Sequence, residues 1–275
     1  INVSNILISL LLVFGLGWRI EGVATGTLAA QWIGAVTFLV MALRQHLSWP
    51  GLRLVLAPRE IAGFFRTNGV LFLRTVCMIA VTLWFTRTGA SQGNVTLAAN
   101  ALLIQLFMLF SYVMDGYAFA GEALVGRDIG RRDVPALRLT VRSLLRWSAS
   151  LAIVFTLLYI FGGESFLGLL SDDHEVIATS AEYAAWAFAI PMASFAAFAY
   201  DGIFIGTTSG KMMLLPMLYA AIAFFAVYAV TYHPMGNHGL WLAFLAYLLT
   251  RSLTQALLWP GMLRRIDRSI QNLNI

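Results

Sequence analysis

Residues 95–130 read VTLAANALLIQLFMLFSYVMDGYAFAGEALVGRDIG, a long apolar stretch that contains acidic residues. Residues 97–126 alone number 30, more than the roughly 20 that an α-helix needs to cross the hydrocarbon core of a bilayer. Asp115 lies inside the stretch and Glu122 lies near its end. A charged carboxyl at the centre of a bilayer costs about 2.5–3.5 kcal/mol, so such residues face protein or water. The stretch therefore predicts a membrane helix that belongs to a bundle.

The polar and small side chains of this helix share one face. At about 100° per residue they fall within a stripe about 60° wide, and the other faces carry Leu, Phe, Ile and Met. The stripe contains Asn100, Ser111, Asp115, Ala118 and Glu122. One wet face on an apolar helix indicates a polar cavity. Asn100, Asp115 and Glu122 are therefore candidate residues of a transport or ion-coupling site.

The composition of the whole chain agrees with a membrane protein. Hydrophobic residues make up 60% of its 275 residues and charged residues 11%, against a usual ~45–50% and ~25%. The mean hydropathy is +0.79. The apolar runs lack the alternation of a membrane β-barrel. The single cysteine, Cys77, excludes an intramolecular disulfide. The predicted fold class is an all-α, polytopic bundle of about eight transmembrane helices.

Eight hydrophobic spans can be drawn. They cover residues 3–16, 23–43, 67–86, 97–126, 147–161, 183–205, 212–232 and 240–263. Between them lie a basic connection with Pro50 and Pro58, a basic amphipathic piece at 128–146 and an acidic loop after residue 161. Because proline interrupts helices, the connection is predicted not to be one continuous helix.

The cations give an independent check on this layout. If spans alternate sides and the basic connection is cytoplasmic, 14 of the 18 Lys and Arg residues fall on the cytoplasmic side, as the positive-inside rule requires. These are Arg44, Arg53, Arg59, Arg66, Arg127, Arg131, Arg132, Arg138, Arg142, Arg146, Lys211, Arg264, Arg265 and Arg268. The prediction is a multi-pass protein of the cell's inner (plasma) membrane with both chain ends cytoplasmic.

Four charged residues lie within spans: Arg74, Asp115, Asp201 and Arg251. Measured at 1.5 Å per residue from the nearest cytoplasmic cation, each lies about 12–20 Å deep. Two acids and two bases from four helices are therefore predicted to share one layer. One interpretation is a set of structural ion pairs that lock the bundle. The other is that at least one acid exchanges its partner between Arg, a proton, sodium and a cationic solute.

Small residues and proline interrupt two of these spans. Pro191, Gly202 and Gly206 lie in the sixth span and Gly116 follows Asp115 in the fourth. They are candidate hinges or helix breaks, which transporters use at their binding sites. Close packing of small residues between helices is the alternative.

No catalytic motif, phosphate-binding loop or paired cysteine site is apparent, so an enzyme is not predicted. His233 and His238 lack a third ligand, and no metal or cofactor is predicted apart from a coupling ion. The net charge of +5 does not indicate nucleic acid, because the cations lie beside spans. There they fit anionic lipid headgroups.

Two segments resemble a known family. LAANALLIQLFMLFSYVMDGYAFAGEALVGRDIGRRD (97–133) resembles the eighth span and following loop of multidrug and toxic compound extrusion (MATE) transporters, closest to their DinF-like branch. FAIPMASFAAFAYDGIFIGTTSGKMM (188–213) is similar to that branch's tenth span. The matching positions are Asp115, Gly116, Glu122, Asp201 and Gly202.

The resemblance implies a fold and a division of the chain. The family has two six-helix lobes and alternating access. Residues 1–44 would be the last two helices of the first lobe and 45–66 a cytoplasmic connection. Residues 67–263 would be the complete second lobe and 264–275 a cytoplasmic tail. The chain would then be a fragment that lacks the first four spans, including the carboxylate on the first span that this branch uses in proton coupling.

The resemblance also implies a function. Family members export toxic solutes, and the expected substrate is a small organic, cationic solute that leaves as protons or sodium ions enter. The full-length protein would be a monomer in the lipid bilayer. Two alternatives stay open: a flippase for lipid-linked precursors from a related superfamily, and a membrane scaffold without transport activity.

Overall fold

The computed structural model describes residues 2–18, 20–44, 58–209 and 211–273. Within these ranges nearly every residue is helical, as the all-α prediction requires. The helices are α1 (Asn2–Leu10, continued by a π-helical turn at Leu11–Gly15), α2 (Ile20–Arg44), α3 (Pro58–Ser91), α4 (Asn94–Gly130), α5 (Val134–Leu170), α6 (His174–Gly206), α7 (Lys211–Met235) and α8 (Asn237–Leu273).

The helices of the described residues account for the predicted spans. Six of them, α2 and α4 to α8, are long and apolar enough to cross a membrane. The first predicted span is a shorter apolar helix, Asn2–Gly15. The third lies within α3, which is 34 residues long. The chain is therefore a multi-pass, all-helical membrane protein.

The connection predicted at 45–66 is partly helical. Residues 45–57 lie outside the described residues. Residues 58–66 form the first turns of α3, so this part of the predicted connection is helical and the helix begins at Pro58. The reason is that proline fits the first turn of a helix, where its missing N–H has no partner to lose.

Helix α5 joins two segments that the sequence analysis separated. Asp133 caps its start, where the carboxylate Oδ1 accepts a hydrogen bond from the Ala136 N–H at 2.9 Å, and Pro135 follows within the first turn. The helix then runs from the basic piece through the fifth span and on to Leu170, into the predicted acidic loop. Helix α8 likewise continues to Leu273, so most of the predicted tail is helical.

The chain divides into two compact units, Ile1–Gly63 and Phe64–Ile275. In the first unit α1 packs against α2. Gly22, Gly26 and Ala30 recur every four residues along α2 and are buried. Because Gly26 has no Cβ, the Ser9 backbone of α1 can lie directly against it. This is the small-residue packing that membrane helices use.

In the second unit α6 is the central helix and packs against α4, α5 and α8. About two thirds of its apolar span is buried. A Cβ on Gly202 would collide with the Ala118 carbonyl of α4, and a Cβ on Gly206 would lie 2.7 Å from the Glu122 carbonyl oxygen. Glycine at these two positions lets α4 and α6 cross at backbone contact.

Two apolar clusters form the core of this unit. The larger is built around Phe110, Phe224 and Trp241, and the smaller around Phe204 and Trp259. On α6 the buried residues of the larger cluster end at Phe198 and those of the smaller begin at Tyr200; on α8 the limits are Leu248 and Trp259. On α8 the buried polar residues Arg251, Ser252 and Gln255 lie between these limits, and on α6 the buried Asp201 directly follows Tyr200. These residues form a polar layer where the two clusters meet.

Candidate functional site

The polar layer is centred on the carboxylate of Asp201, on α6. The residue is 8% exposed. Its Oδ2 accepts hydrogen bonds from Nη2 of Arg74, on α3, and from Nη2 of Arg251, on α8. Its Oδ1 accepts a hydrogen bond from Nε2 of Gln255, at 2.7 Å. One buried acid therefore joins three helices, and charge-assisted bonds of this kind are the stronger ones in proteins.

The two arginines are not equivalent. Arg251 is buried, and its guanidinium carbon lies 5.7 Å from the centre of the Phe198 ring. The ring gives this cation a second favourable contact besides Asp201. The side chain of Arg74 is 24% exposed. Arg251 is thus held on two sides, whereas Arg74 reaches the edge of the layer.

Asp115 is the fourth charge of the layer and differs from Asp201. It is exposed on α4, and it belongs to none of the ion pairs among the described residues. It lies close enough to Asp201, Arg251 and Arg74 for each to act on its charge. The structure therefore joins Arg74, Asp201 and Arg251 in one ion-paired cluster, with Asp115 near enough to interact with it. With both acids ionised, the four formal charges sum to zero.

Asn100 lies outside this layer. It is 2% exposed and exchanges two hydrogen bonds of 2.9 Å with the amide of Asn237, at the start of α8. Its Oδ1 also accepts a hydrogen bond from Nε1 of Trp241, at 2.9 Å. Asn100 precedes Asp115 by 15 residues, about 22 Å along a helix. The predicted wet stripe of α4 is therefore not wet throughout, because α8 covers its first part.

Glu122 and the predicted hinge residue Gly116 lie in the second half of α4, and the predicted hinge residues of α6 lie between its middle and its last residue. Glu122 is half-buried, and its carbonyl oxygen faces Gly206. Helix α4 runs unbroken through Gly116, and α6 runs unbroken through Pro191 and Gly202 and ends at Gly206. No helix break is therefore present at the first three positions, and a hinge there stays a prediction.

Two hydroxyl groups bond backbone carbonyls of α6 near Pro191. Ser194 donates to the Ile190 carbonyl at 2.8 Å, and Ser252 of α8 donates to the Ala193 carbonyl at 2.7 Å. The carbonyl that loses its N–H partner to a proline is the one four residues before it, here that of Ala187. The two hydroxyl bonds therefore do not replace the missing bond, and the one from Ser252 joins α6 to α8.

Gln255 was missed by the sequence analysis. It is 1% exposed and lies one helical turn after Arg251, on the same face of α8. Only its amide nitrogen is bonded to Asp201; the amide oxygen is buried and has no partner among the described residues. The sequence did contain a feature that points to Gln255: a glutamine four residues after an intramembrane arginine lies on the same helix face and rarely faces lipid.

These features define a multi-pass membrane protein with a charged layer inside its helix bundle, as transporters have. The sequence model of the MatE family matches residues 69–232, more than half of the chain. The chain belongs to the MATE family, whose members are transporters and not enzymes.

Two related proteins match most of the chain. DNA damage-inducible protein F of Escherichia coli (strain K12) is 32% identical over 266 residues, which are 94% of this chain and 57% of that protein. Protein DETOXIFICATION 43 of Arabidopsis thaliana is 24% identical over 256 residues, 92% of this chain and 48% of that protein. The chain thus spans about half the length of these relatives.

Solved structures share the fold. The Vibrio cholerae MATE transporter VcmN in its bent form superposes with a TM-score of 0.78 at 14% identity, over 98% of this chain and 60% of that one. A MOP superfamily transporter from Pyrococcus furiosus gives 0.76 at 15% identity, over 98% and 61%. At these identities the likeness concerns the fold alone.

Proposed function

We propose that the protein takes part in the export of small organic cations by antiport with protons or sodium ions, through alternating access. Membership of a transporter family supports this proposal. The observation that carries it is the charged layer, in which one acid is bonded to two arginines and a second acid is exposed beside them. An unpaired carboxylate within membrane helices is a site that a cation can occupy.

The two acids have different roles in this proposal. Asp201 is the counter-ion that Arg74 and Arg251 share, and a buried cation without its counter-ion is costly. Among the described residues Asp115 has no such partner, so its charge can be neutralised by a proton, by sodium or by a cationic solute. One carboxylate cannot be neutralised by the coupling ion and the solute together. Their mutual exclusion at Asp115 is what makes the exchange an antiport.

A transport assay tests this assignment. The full-length protein, reconstituted in liposomes, should expel a fluorescent organic cation when a proton or sodium gradient is imposed. Asp115→Asn should lower gradient-driven export by about tenfold or more, because an uncharged amide binds neither ion nor cation. Asp267→Asn, at a half-buried acid on α8 paired with Arg138, is the matched control. Full gradient-driven export by Asp115→Asn would contradict the proposal.

The orientation is part of the proposal. The turn between α4 and α5, which carries Arg131 and Arg132, lies on the cytoplasmic side of the inner membrane, as the positive-inside rule requires. A cysteine at Arg131 should then be labelled by an impermeant thiol reagent only in opened cells. A cysteine at Ser91, the last residue of α3 before the turn to α4, should be labelled in intact cells. The reverse pattern would invert the orientation.

A flippase for lipid-linked precursors is the second candidate, favoured by the two guanidinium groups that meet a single carboxylate, since arginine binds phosphate well. The same liposomes distinguish it: translocation of a lipid-linked phosphate without export of the organic cation would favour the flippase. Transport of neither would favour a scaffold.

A further inference from the structure

We infer that Gln255 is a positioning residue of the charged layer that takes over Arg251 from Asp201, so that Asp201 can bind the transported cation together with Asp115. The inference rests on the proposed function and deepens it, because it adds a second carboxylate to the cation site and states how that carboxylate becomes available.

The first observation is the state of the Gln255 amide. Its nitrogen donates to Oδ1 of Asp201 at 2.7 Å, while its oxygen is buried and unpartnered among the described residues. A buried acceptor without a hydrogen bond costs about 1–3 kcal/mol. An apolar side chain of similar length would avoid this cost, so the oxygen is explained best by a donor that it receives in another state of the protein.

The second observation identifies that donor. Arg251 lies one turn before Gln255 on α8, and residues four apart on a helix are neighbours. Its guanidinium carries five N–H donors in a fixed plane, and it already lies next to the amide because both side chains bond Asp201. A small rotation of the guanidinium therefore brings one of its N–H groups to the amide oxygen of Gln255.

The third observation is that Arg251 does not depend on Asp201 alone. The guanidinium faces the Phe198 ring at 5.7 Å, and this contact persists when Asp201 changes partner. Leaving a buried charge without any partner costs several kcal/mol. The ring and the amide oxygen together hold Arg251 during the exchange. Asp201 then keeps the Gln255 amide on Oδ1 and Arg74, the arginine at the edge of the layer, on Oδ2, and the place that Arg251 leaves on Oδ2 is open to the cation.

Two substitutions at Gln255 test whether its amide oxygen acts as a hydrogen-bond acceptor for Arg251, apart from the hydrogen bond that its nitrogen donates to Asp201. Gln255→Glu and Gln255→Met both remove the hydrogen bond that Gln255 donates to Asp201. Only Gln255→Glu keeps an acceptor for Arg251. In full-length protein in liposomes, we expect Gln255→Glu to export a fluorescent organic cation at least about tenfold faster than Gln255→Met, the equivalent of one hydrogen bond of about 1.4 kcal/mol. Ser252→Ala, which removes another contact between α8 and α6, is the control for packing.

Three outcomes would overturn the inference: equal losses in both Gln255 variants, export at the wild-type rate in both, or slower export by Gln255→Glu than by Gln255→Met. If Asp201→Asn stops export while the Gln255 variants behave alike, the proposed function stands and this inference fails. If Asp115→Asn leaves gradient-driven export intact, the proposed function fails first, whatever the Gln255 variants do.

A structure of the wild-type protein with the organic cation bound tests the inference without any variant. It should show a guanidinium nitrogen of Arg251 within hydrogen-bond distance of the Gln255 amide oxygen, and the cation beside Asp115 and Asp201. Arg251 still bonded to Asp201, with the cation in place, would contradict it.

Discussion

Two buried polar clusters join α8 to the rest of its unit, and they are built on opposite principles. In the cluster of Asn100, Asn237 and Trp241, neutral groups bond one another reciprocally. In the charged layer, Asp201 is shared by two arginines and a glutamine, the glutamine oxygen is unpartnered, and Asp115 is exposed nearby. A satisfied cluster has one good arrangement and stabilises it. A layer with spare donors and acceptors has several arrangements of similar energy, which transport requires.

The largest effect on stability is expected from Asp201→Asn. The substitution leaves Arg74 and the buried Arg251 without their counter-ion, and breaking a buried ion pair costs about 3–5 kcal/mol. Thermal unfolding of the full-length protein in detergent should show a lower midpoint than wild type. An unchanged midpoint would mean that Asp201 is not the centre of the layer.

Asn100→Ala should be the next most damaging change. It leaves the Asn237 amide and the Trp241 N–H unpaired in a buried site, at about 1–3 kcal/mol. The midpoint should fall, but the number of coupling ions exchanged per solute should stay at the wild-type value. A changed ratio of ion to solute flux in liposomes would show that this cluster takes part in coupling and would remove the contrast between the two clusters.

Trp241→Phe is a milder test of the same cluster. It removes only the hydrogen bond that Trp241 donates to Oδ1 of Asn100, and that oxygen keeps its bond from Asn237. The loss should lower the free energy of unfolding by about 1 kcal/mol. The lost ring volume adds to this cost, because Trp241 is fully buried. The midpoint should fall less than in Asn100→Ala. A larger fall in the midpoint would show that the packing of the Trp241 ring contributes more to stability than the hydrogen bonds of the cluster do.

The smallest effect on stability is expected from Asp115→Asn. Asp115 is exposed and outside every ion pair of the described residues, so the change should stay within about 0.5 kcal/mol. Its effect on ion-driven export should nevertheless be as large as that of Asp201→Asn. Loss of stability comparable to Asp201→Asn would indicate that Asp115 is a structural partner rather than the exchangeable acid.

The sequence predicted the charged layer well because depth along a helix follows from residue number. Arg74, Asp201 and Arg251 lie at one level since each is a similar number of residues from a membrane surface, and a charge in lipid must find a partner. The resemblance to a family was likewise confirmed, because it rested on long segments around Asp115 and Asp201.

The sequence could not predict which neighbour covers each face of a helix. Asn100 shares the stripe of Asp115 on a helical projection, yet α8 buries it in another cluster. Gln255 was overlooked because a neutral amide gives a weaker signal than a charge. For Gly202 and Gly206 the sequence left a hinge and close helix packing open, because a projection contains no partner helix, and the structure shows close contact with α4. Helices α3 and α5 each have a proline in the first turn, where proline fits a helix. A sequence pattern that treats proline only as a helix breaker does not predict these starts.

The most direct test of the central claim is the affinity of the purified full-length protein for a fluorescent organic cation, measured across a range of pH and sodium concentration. If Asp115 is the acid that ion and solute share, wild-type affinity should fall as the coupling ion becomes more abundant, because neutralising Asp115 leaves the layer with a net positive charge. Asp115→Asn should bind weakly and equally under all conditions, while Asp267→Asn should behave as wild type. An Asp115→Asn protein that keeps the wild-type dependence on pH or sodium would contradict the account.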